Sequence, residues 1–235
     1  MSGGLQIFYT PEAIARVETA ISSERLAPYM LACGGDKLAA ILLYERNTSL
    51  SEALYGVIQG LEVALRNSFH QTLAKGLGTP EWYDVIAMQY PEQKSVARAK
   101  ELIERQQRVV APGKVVAELN FGFWTALTQS CYAKPLWDPH LHKAFPAKRM
   151  GNKAAHQRLE IIRRLRNRVA HHERIIQRDL AVDYTLLIET IGWICPVTAE
   201  WVRRTNCFEQ RFHTEAAGGY EVEKAPSSEK AGQKE

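Results

Sequence analysis

The chain has 235 residues, of which 46% are hydrophobic and 24% are charged, and it carries a formal net charge of +4. This ordinary globular balance allows a sizeable core without disulfides. No apolar run approaches the ~20 residues that span a bilayer. Residues 1–13 also lack the basic and then apolar stretches of a secretory signal. We therefore expect a cytoplasmic protein with no membrane partner.

The cysteines are far apart in the sequence, and none forms a C-x-x-C pair; they are Cys33, Cys131, Cys195 and Cys207. A structural zinc site requires closely spaced ligands, and a disulfide framework requires an oxidising compartment. The sequence thus predicts reduced thiols, with no metal and no cofactor.

Helical periodicity runs through nearly the whole chain. Thr10 followed by Pro11 is a good helix start, since threonine caps well and proline suits the first helical position. This first helix is expected to reach about residue 23. A second helix is expected to open at the glycines of 34–36 and to run through residue 47.

The segment 49–78 is the clearest long helix. Ser49 or Ser51 can cap its start, and Gly76 and Gly78 can end it. Its apolar residues recur at steps of three and four, which is the pattern of a helix with one buried face. They are Leu54, Val57, Ile58, Leu61, Leu65, Phe69 and Leu73.

The second half of the chain also reads as helical. A polar helix is expected over 91–110, and the segment after it contains the β-like run FGFW, although its apolar spacing favours a helix. Further helices are expected at 152–170, 180–194 and 196–208. We find no internal repeat and no hairpin signal. The sequence therefore predicts an all-α, single-domain bundle of about seven or eight helices over 1–213, followed by a disordered, charged tail at 214–235.

Positive charge is concentrated in the segment 148–178. It holds ten Lys and Arg against two acids, a balance of 10 − 2 = +8, so the rest of the chain sums to 4 − 8 = −4. Such a patch attracts phosphate backbones. A solvated basic helix face is the alternative, and the charge count alone does not separate the two.

The stretch RLRNRVAHHERI in this segment combines residue types suited to phosphate chemistry. A histidine such as His171 titrates near neutral pH and can move a proton, and an arginine such as Arg166 binds phosphate oxygens through paired donors. Asn167 can hold a ring or a phosphate by hydrogen bonds. Together they suit metal-independent cleavage of RNA, in which the 2′-hydroxyl is the nucleophile. A basic helix end that meets the negative pole of the helix dipole is the alternative interpretation.

The helical spacing of these three residues raises a geometric difficulty. Asn167 and His171 are four residues apart and share a face, whereas Arg166 lies about 100° around the helix from Asn167. The side chains converge only if the helix loosens near His171 or if a second copy of the chain completes the site. A metal site is weakly indicated because the two adjacent histidines point in different directions and H-E-x-x-H is absent. Nothing marks a cysteine nucleophile.

The motif and its context resemble the Abi-like family of bacterial abortive-infection proteins, within the HEPN superfamily. The similarity runs in order through SERLAPYM, LLYERNTSLSEALYGVIQGLEVALRNSFHQTL, GKVVAELNFGFWTAL and LEIIRRLRNRVAHHERI. It covers most of the chain between residues 14 and 194. The resemblance implies an α-helical HEPN bundle that dimerises, in which an R-x4–6-H motif from each protomer forms one composite RNA-cleaving site.

The resemblance also implies roles for individual residues. The R-x4–6-H motif falls on Arg166, Asn167 and His171, which would be catalytic. Supporting positions would be Glu62, Arg66 and His172. The alternatives are a surface ion pair for the first two and a helix cap for His172. The RNA backbone would be contacted by Arg163, Arg168 and Arg174.

The sequence and the resemblance together predict a metal-independent endoribonuclease that acts in phage defence, as an abortive-infection or toxin-like protein. Its expected partners are RNA (with tRNA as one candidate), a second copy of the chain, and an antitoxin or trigger protein. The alternative is a non-catalytic HEPN module that binds RNA, a nucleotide or a protein partner.

Overall fold

The computed structural model describes residues 9–216, and within that range the chain is helical and has no strand. This confirms the all-α prediction. Most of the tail expected at 214–235 lies outside the described residues, but the last helix continues to Ala216. None of the described helices is long and apolar enough to cross a membrane alone, although Ser23–Ala32 and Lys37–Leu77, bent by 103°, meet the length and composition criterion as a pair.

The described residues contain eleven α-helices, more than the seven or eight expected. They are α1 (Pro11–Ile21), α2 (Ser23–Ala32), α3 (Lys37–Leu77), α4 (Trp82–Val85), α5 (Tyr90–Arg105), α6 (Pro112–Glu118), α7 (Phe121–Ala126), α8 (Asn152–Ala170), α9 (Leu180–Ile194), α10 (Pro196–Thr205) and α11 (Phe208–Ala216). Short 3₁₀ and π-helical turns occupy Ser130–Tyr132, Ala133–Trp137 and Leu141–Ala144.

Two expected helices are one in the structure. The break expected at residues 47–49 does not occur, and α3 runs without interruption for 41 residues. The polar residues there are used in other ways: the hydroxyl of Thr48 donates to the carbonyl of Tyr44, and that of Ser51 to the carbonyl of Asn47. Hydroxyls that bond back to the preceding turn fit inside a helix. The side chain of Asn47 accepts hydrogen bonds from another segment.

The chain forms two compact units where we expected one helical domain. Within the described range, the first unit comprises residues 9–52, 174–178 and 208–216, and the second comprises 53–173 and 179–207. The core of the first unit is built from α2 and the start of α3, with Leu26, Tyr29, Ala40, Ile41 and Leu43 buried. Asn47 is 3% exposed, and its Oδ1 accepts the N–H groups of Ile175 at 2.7 Å and Ile176 at 3.3 Å.

The core of the second unit is formed by the predicted apolar stripes. All seven apolar residues of the long helix, from Leu54 to Leu73, are buried, as are Leu159, Ile162, Leu165 and Val169 on α8. The FGFW run is helical, because the side chain of Asn120 caps α7 by accepting the N–H of Phe123. Phe123 and Trp124 of this run join an aromatic cluster with Phe69 and Trp82, in edge-to-face and tilted contacts. These aromatic residues therefore pack the core.

Candidate functional site

The candidate site begins where α8 ends. His171 is the C-terminal cap, and His172 has a left-handed backbone with φ of 56°. The N–H of His172 donates to the carbonyl of Val169 at 3.1 Å, and the N–H of Glu173 donates to that of Arg168 at 2.8 Å. This pair of bonds is the Schellman ending, whose left-handed position glycine usually occupies. A histidine there carries local backbone strain directly beside the motif.

His171 and Asn167 are accessible at this helix end. His171 is exposed and Asn167 is half-buried, and their only mutual hydrogen bond is between backbone groups, from the N–H of His171 to the carbonyl of Asn167. Within the described chain, no hydrogen bond joins the side chains of Arg166, Asn167 and His171 to one another. One copy therefore does not bring the three side chains into a hydrogen-bonded group.

Arg166 is held by a carboxylate from another helix. Its Nε lies 3.5 Å from Oε2 of Glu62 on α3, with the two side chains 33% and 21% exposed. The terminal guanidinium nitrogens make no hydrogen bond to other described residues. Because arginine binds phosphate best through paired N–H groups, this arrangement orients the guanidinium while leaving its outer edge free.

Arg66 does not form the surface ion pair that was the alternative interpretation. Glu62 and Arg66 share a face of α3 by spacing, but no ion pair between them occurs in the structure. Glu62 faces Arg166, and Nη1 of Arg66 approaches the carbonyl of Ala117 at 3.5 Å. Glu62 on α3 therefore contacts Arg166 of the motif, which lies on α8.

The arginines expected to contact RNA have different surroundings. Arg163 forms a two-pronged ion pair with Glu160, at 2.8 and 2.7 Å, and this pairing holds the pKa of the Glu160 carboxyl below its usual range. Arg168 lies 3.9 Å from Glu173, and the two side chains are 38% and 52% exposed. Of these two arginines, Arg168 has the longer ion pair, so its guanidinium is more available to bind a phosphate.

Arg174 is engaged in packing within the first unit. Its Nη1 donates to the carbonyl of Pro28 at 2.7 Å, its guanidinium lies over the ring of Tyr29, and its Nε is buried. A side chain held in this way is not available to RNA. We therefore correct the sequence-based expectation and remove Arg174 from the candidate RNA contacts.

Tertiary contacts also reduce the positive charge of segment 148–178. Glu62 pairs with Arg166, and Glu189 on α9 pairs with Arg158 at 2.5 Å. These two acids lie outside the segment, so the local balance falls from +8 to 8 − 2 = +6. Sequence counting did not include them because both come from distant parts of the chain.

A groove between α3 and α10 was not expected from the sequence. It has a volume of about 470 Å³ and is lined in part by Gly56, Gly60 and Ala64. These small residues recur every four positions along α3, which is the signal that would have indicated a close helix contact.

Among the residues that the structure describes, no group of three or more His, Cys, Asp or Glu side chains is placed to hold a metal ion. Comparisons of the chain with protein-family models, with curated proteins and with solved structures found no match.

Proposed function

We propose that this chain is a metal-independent endoribonuclease of the Abi-like HEPN type, acting as a homodimer in phage defence. The observation that carries the proposal is the pairing of Glu62 with Arg166 beside an exposed His171. The guanidinium is oriented by one carboxylate, is partly exposed and belongs to a segment rich in positive charge. These features suit binding of an RNA phosphate.

In the proposed reaction, His171 takes the proton of the ribose 2′-hydroxyl as that oxygen attacks the adjacent phosphorus. The bond from phosphorus to the 5′-oxygen breaks, and a protonated group returns a proton to the leaving oxygen. Arg166 stabilises the charge on the phosphorane, with Asn167 holding a phosphate or ribose oxygen. The products are a 2′,3′-cyclic phosphate and a 5′-hydroxyl.

The homodimer is part of the proposal because the side chains of Arg166, Asn167 and His171 form no hydrogen-bonded group within one described copy. The ring of His171 makes no hydrogen bond within the described chain, so no neighbouring side chain orients it. A second copy of the motif would supply another His171 and another Arg166, giving an acid, a base and two phosphate ligands. The role in phage defence rests on the family resemblance alone.

The direct test is a cleavage assay in EDTA, with total tRNA and a generic single-stranded RNA as substrates and end-group analysis of the products. The wild-type protein should give cyclic phosphate ends. His171→Ala and Arg166→Ala should each lower the rate by roughly 10²–10⁴-fold. Both variants should keep the wild-type melting temperature, because both side chains are accessible and outside the core.

Matched control variants separate loss of catalysis from a general effect. His213→Ala removes another exposed histidine, and Arg105→Ala removes an exposed arginine that is paired with Glu101 on α5. Both should cleave at the wild-type rate. A folded wild-type dimer that cleaves neither RNA, or a His171→Ala variant that cleaves normally, would contradict the proposal and favour a non-catalytic binding module.

A further inference from the structure

The groove between α3 and α10 has a volume and a lining suited to a small ligand. Its floor is set by glycines: a Cβ on Gly60 would lie 2.8 Å from Cγ2 of Val202, and one on Gly56 would lie 3.1 Å from Nδ2 of Asn206. The two helices approach closely for this reason. The volume of about 470 Å³ lies in the range of small-molecule sites.

One side of the groove carries an exposed aromatic ring. Trp201 on α10 is 62% exposed, and its indole N–H makes no hydrogen bond within the described chain. Val63 on α3 also lines the groove and is 37% exposed. A large aromatic side chain left in water beside a concave surface marks a place where a flat apolar face can stack.

Other lining groups can form hydrogen bonds with the edge of such a ligand. Gln59 and Asn67 are exposed carboxamides of α3, and neither side chain forms a hydrogen bond with another described residue. Thr198 and Thr205 add hydroxyls from α10. A carboxamide offers both donors and acceptors, which is the complement of the edge of a nucleobase.

The charge around the groove is compatible with binding of an anionic strand. No lining residue is charged. The charged residues next to the lining residues on the two helices are Glu62, Arg66, Glu200, Arg203 and Arg204. Both acids are paired, Glu62 with Arg166 on α8 and Glu200 with Arg203 and Arg204. A polyanion therefore meets no unpaired carboxylate there.

The groove and the candidate catalytic site share one helix. Val63 in the groove follows Glu62 directly, so the two side chains are separated by about 100° of rotation and about 1.5 Å of rise. Around the circumference of α3, Arg66 and Gln59 lie between Glu62 and the rest of the groove. A strand whose phosphate lies on Arg166 could pass these residues and reach the groove.

We propose that the α3–α10 groove binds an unpaired nucleobase of the RNA strand, which stacks on Trp201 and is read by Gln59 and Asn67. This inference rests on the proposed function for its substrate, and it adds a site that selects single-stranded RNA near the scissile phosphate. Stacking of bases on aromatic side chains is the common means by which proteins hold single strands.

The test measures binding of fluorescein-labelled oligoadenylate and oligouridylate by anisotropy, using full-length protein with His171→Ala to prevent cleavage. Adding Trp201→Ala should raise Kd about tenfold, as the loss of one base stack predicts. Asn67→Asp keeps the side-chain size and places a negative charge in the groove, so it should also weaken binding about tenfold. Tyr90→Ala removes an aromatic residue of α5 that is 73% exposed, somewhat more than Trp201, and should leave Kd unchanged.

The outcomes separate this inference from the proposed nuclease. If the wild-type chain cleaves RNA but Trp201→Ala and Asn67→Asp bind as tightly as their parent, the groove is not a base site. If the wild-type chain cleaves nothing yet binding depends on Trp201, the groove inference is supported and the nuclease proposal fails. If Trp201→Ala changes the oligomeric state by light scattering without changing RNA binding, the groove is a contact between copies of the chain and the inference is overturned.

Discussion

Glu62 and Arg166 join α3 to α8 through a contact of 3.5 Å between Oε2 and Nε. The two residues are 104 positions apart in the sequence, and each is only partly exposed. An ion pair at a surface contributes little to stability, typically below about 1 kcal/mol. Its consequence here is orientation, since it fixes one edge of the guanidinium and leaves the other edge for a phosphate.

A double-mutant cycle can test this orienting role. Glu62→Gln should lower the cleavage rate about tenfold, which corresponds to roughly 1.4 kcal/mol of transition-state stabilisation. Its melting temperature should change little. In the background of Arg166→Ala, Glu62→Gln should have no further effect, because the group that it orients is gone. Additive losses would show that Glu62 acts through another residue, and a loss as large as that of His171→Ala would place it in contact with the reacting groups.

His172 should be replaceable by glycine more easily than by alanine. Both substitutions remove the imidazole, but alanine keeps a Cβ, and only glycine adopts φ of 56° without steric cost. We expect His172→Gly to be more stable than His172→Ala by about 1 kcal/mol in urea unfolding. Equal stabilities would show that the left-handed turn is not kept in solution. Normal cleavage by both variants would assign His172 to ending α8, whereas loss in both would give it a role in the site.

Asn47 should be important for stability although it lies within a helix. Asn47→Ala would leave the N–H groups of Ile175 and Ile176 without their acceptor, and Ile175 is fully buried. An unsatisfied buried donor costs about 1–3 kcal/mol, so we expect a loss of about 2 kcal/mol or more in the free energy of unfolding. Asn47→Asp keeps an acceptor and should lose less. Asn67→Ala, at an exposed position of the same helix, is the control and should be nearly neutral.

His70 should make the fold sensitive to acid. Its Nδ1 accepts the indole N–H of Trp82 at 2.9 Å, which requires a neutral ring, and burial lowers its pKa from the ordinary 6.5. The unfolded chain binds a proton at a higher pH than the folded chain does, so stability is full above pH 6.5 and falls as the pH drops toward the folded pKa. His70→Gln should flatten the decline of melting temperature between neutral and mildly acidic pH. An identical slope in both proteins would contradict this assignment.

Much of the fold could be predicted because it depends on local pattern. The apolar residues of α3 and α8 repeat with the period of a helix, and the same residues are buried in the structure. The boundaries were less predictable. A helix end was expected at residue 47 and a new cap at Ser49 or Ser51, but the Ser51 hydroxyl donates to the carbonyl of Asn47 and the Asn47 side chain binds Ile175 and Ile176, so neither serves as a cap.

The site residues likewise divide into those whose placement follows from local spacing and those whose contacts do not. The spacing of Asn167 and His171 puts them on one face of α8, and the structure keeps that arrangement up to the cap. The spacing of Glu62 and Arg66 equally suggested a pair on α3, but Glu62 contacts Arg166 instead. Arg174 shows the limit most clearly, because nothing in its neighbourhood in the sequence indicates Pro28 or Tyr29 as its partners.

The sequence by itself determined the helical class, the buried stripes and the placing of Asn167 and His171 on one face of α8, because helix geometry places residues three and four apart on one face whatever surrounds them. Tertiary structure alone decided which carboxylate holds Arg166, which arginines are free, and that α10 meets the glycines of α3 in a groove. These outcomes depend on contacts between segments far apart in the chain, and local spacing does not identify the partner segment.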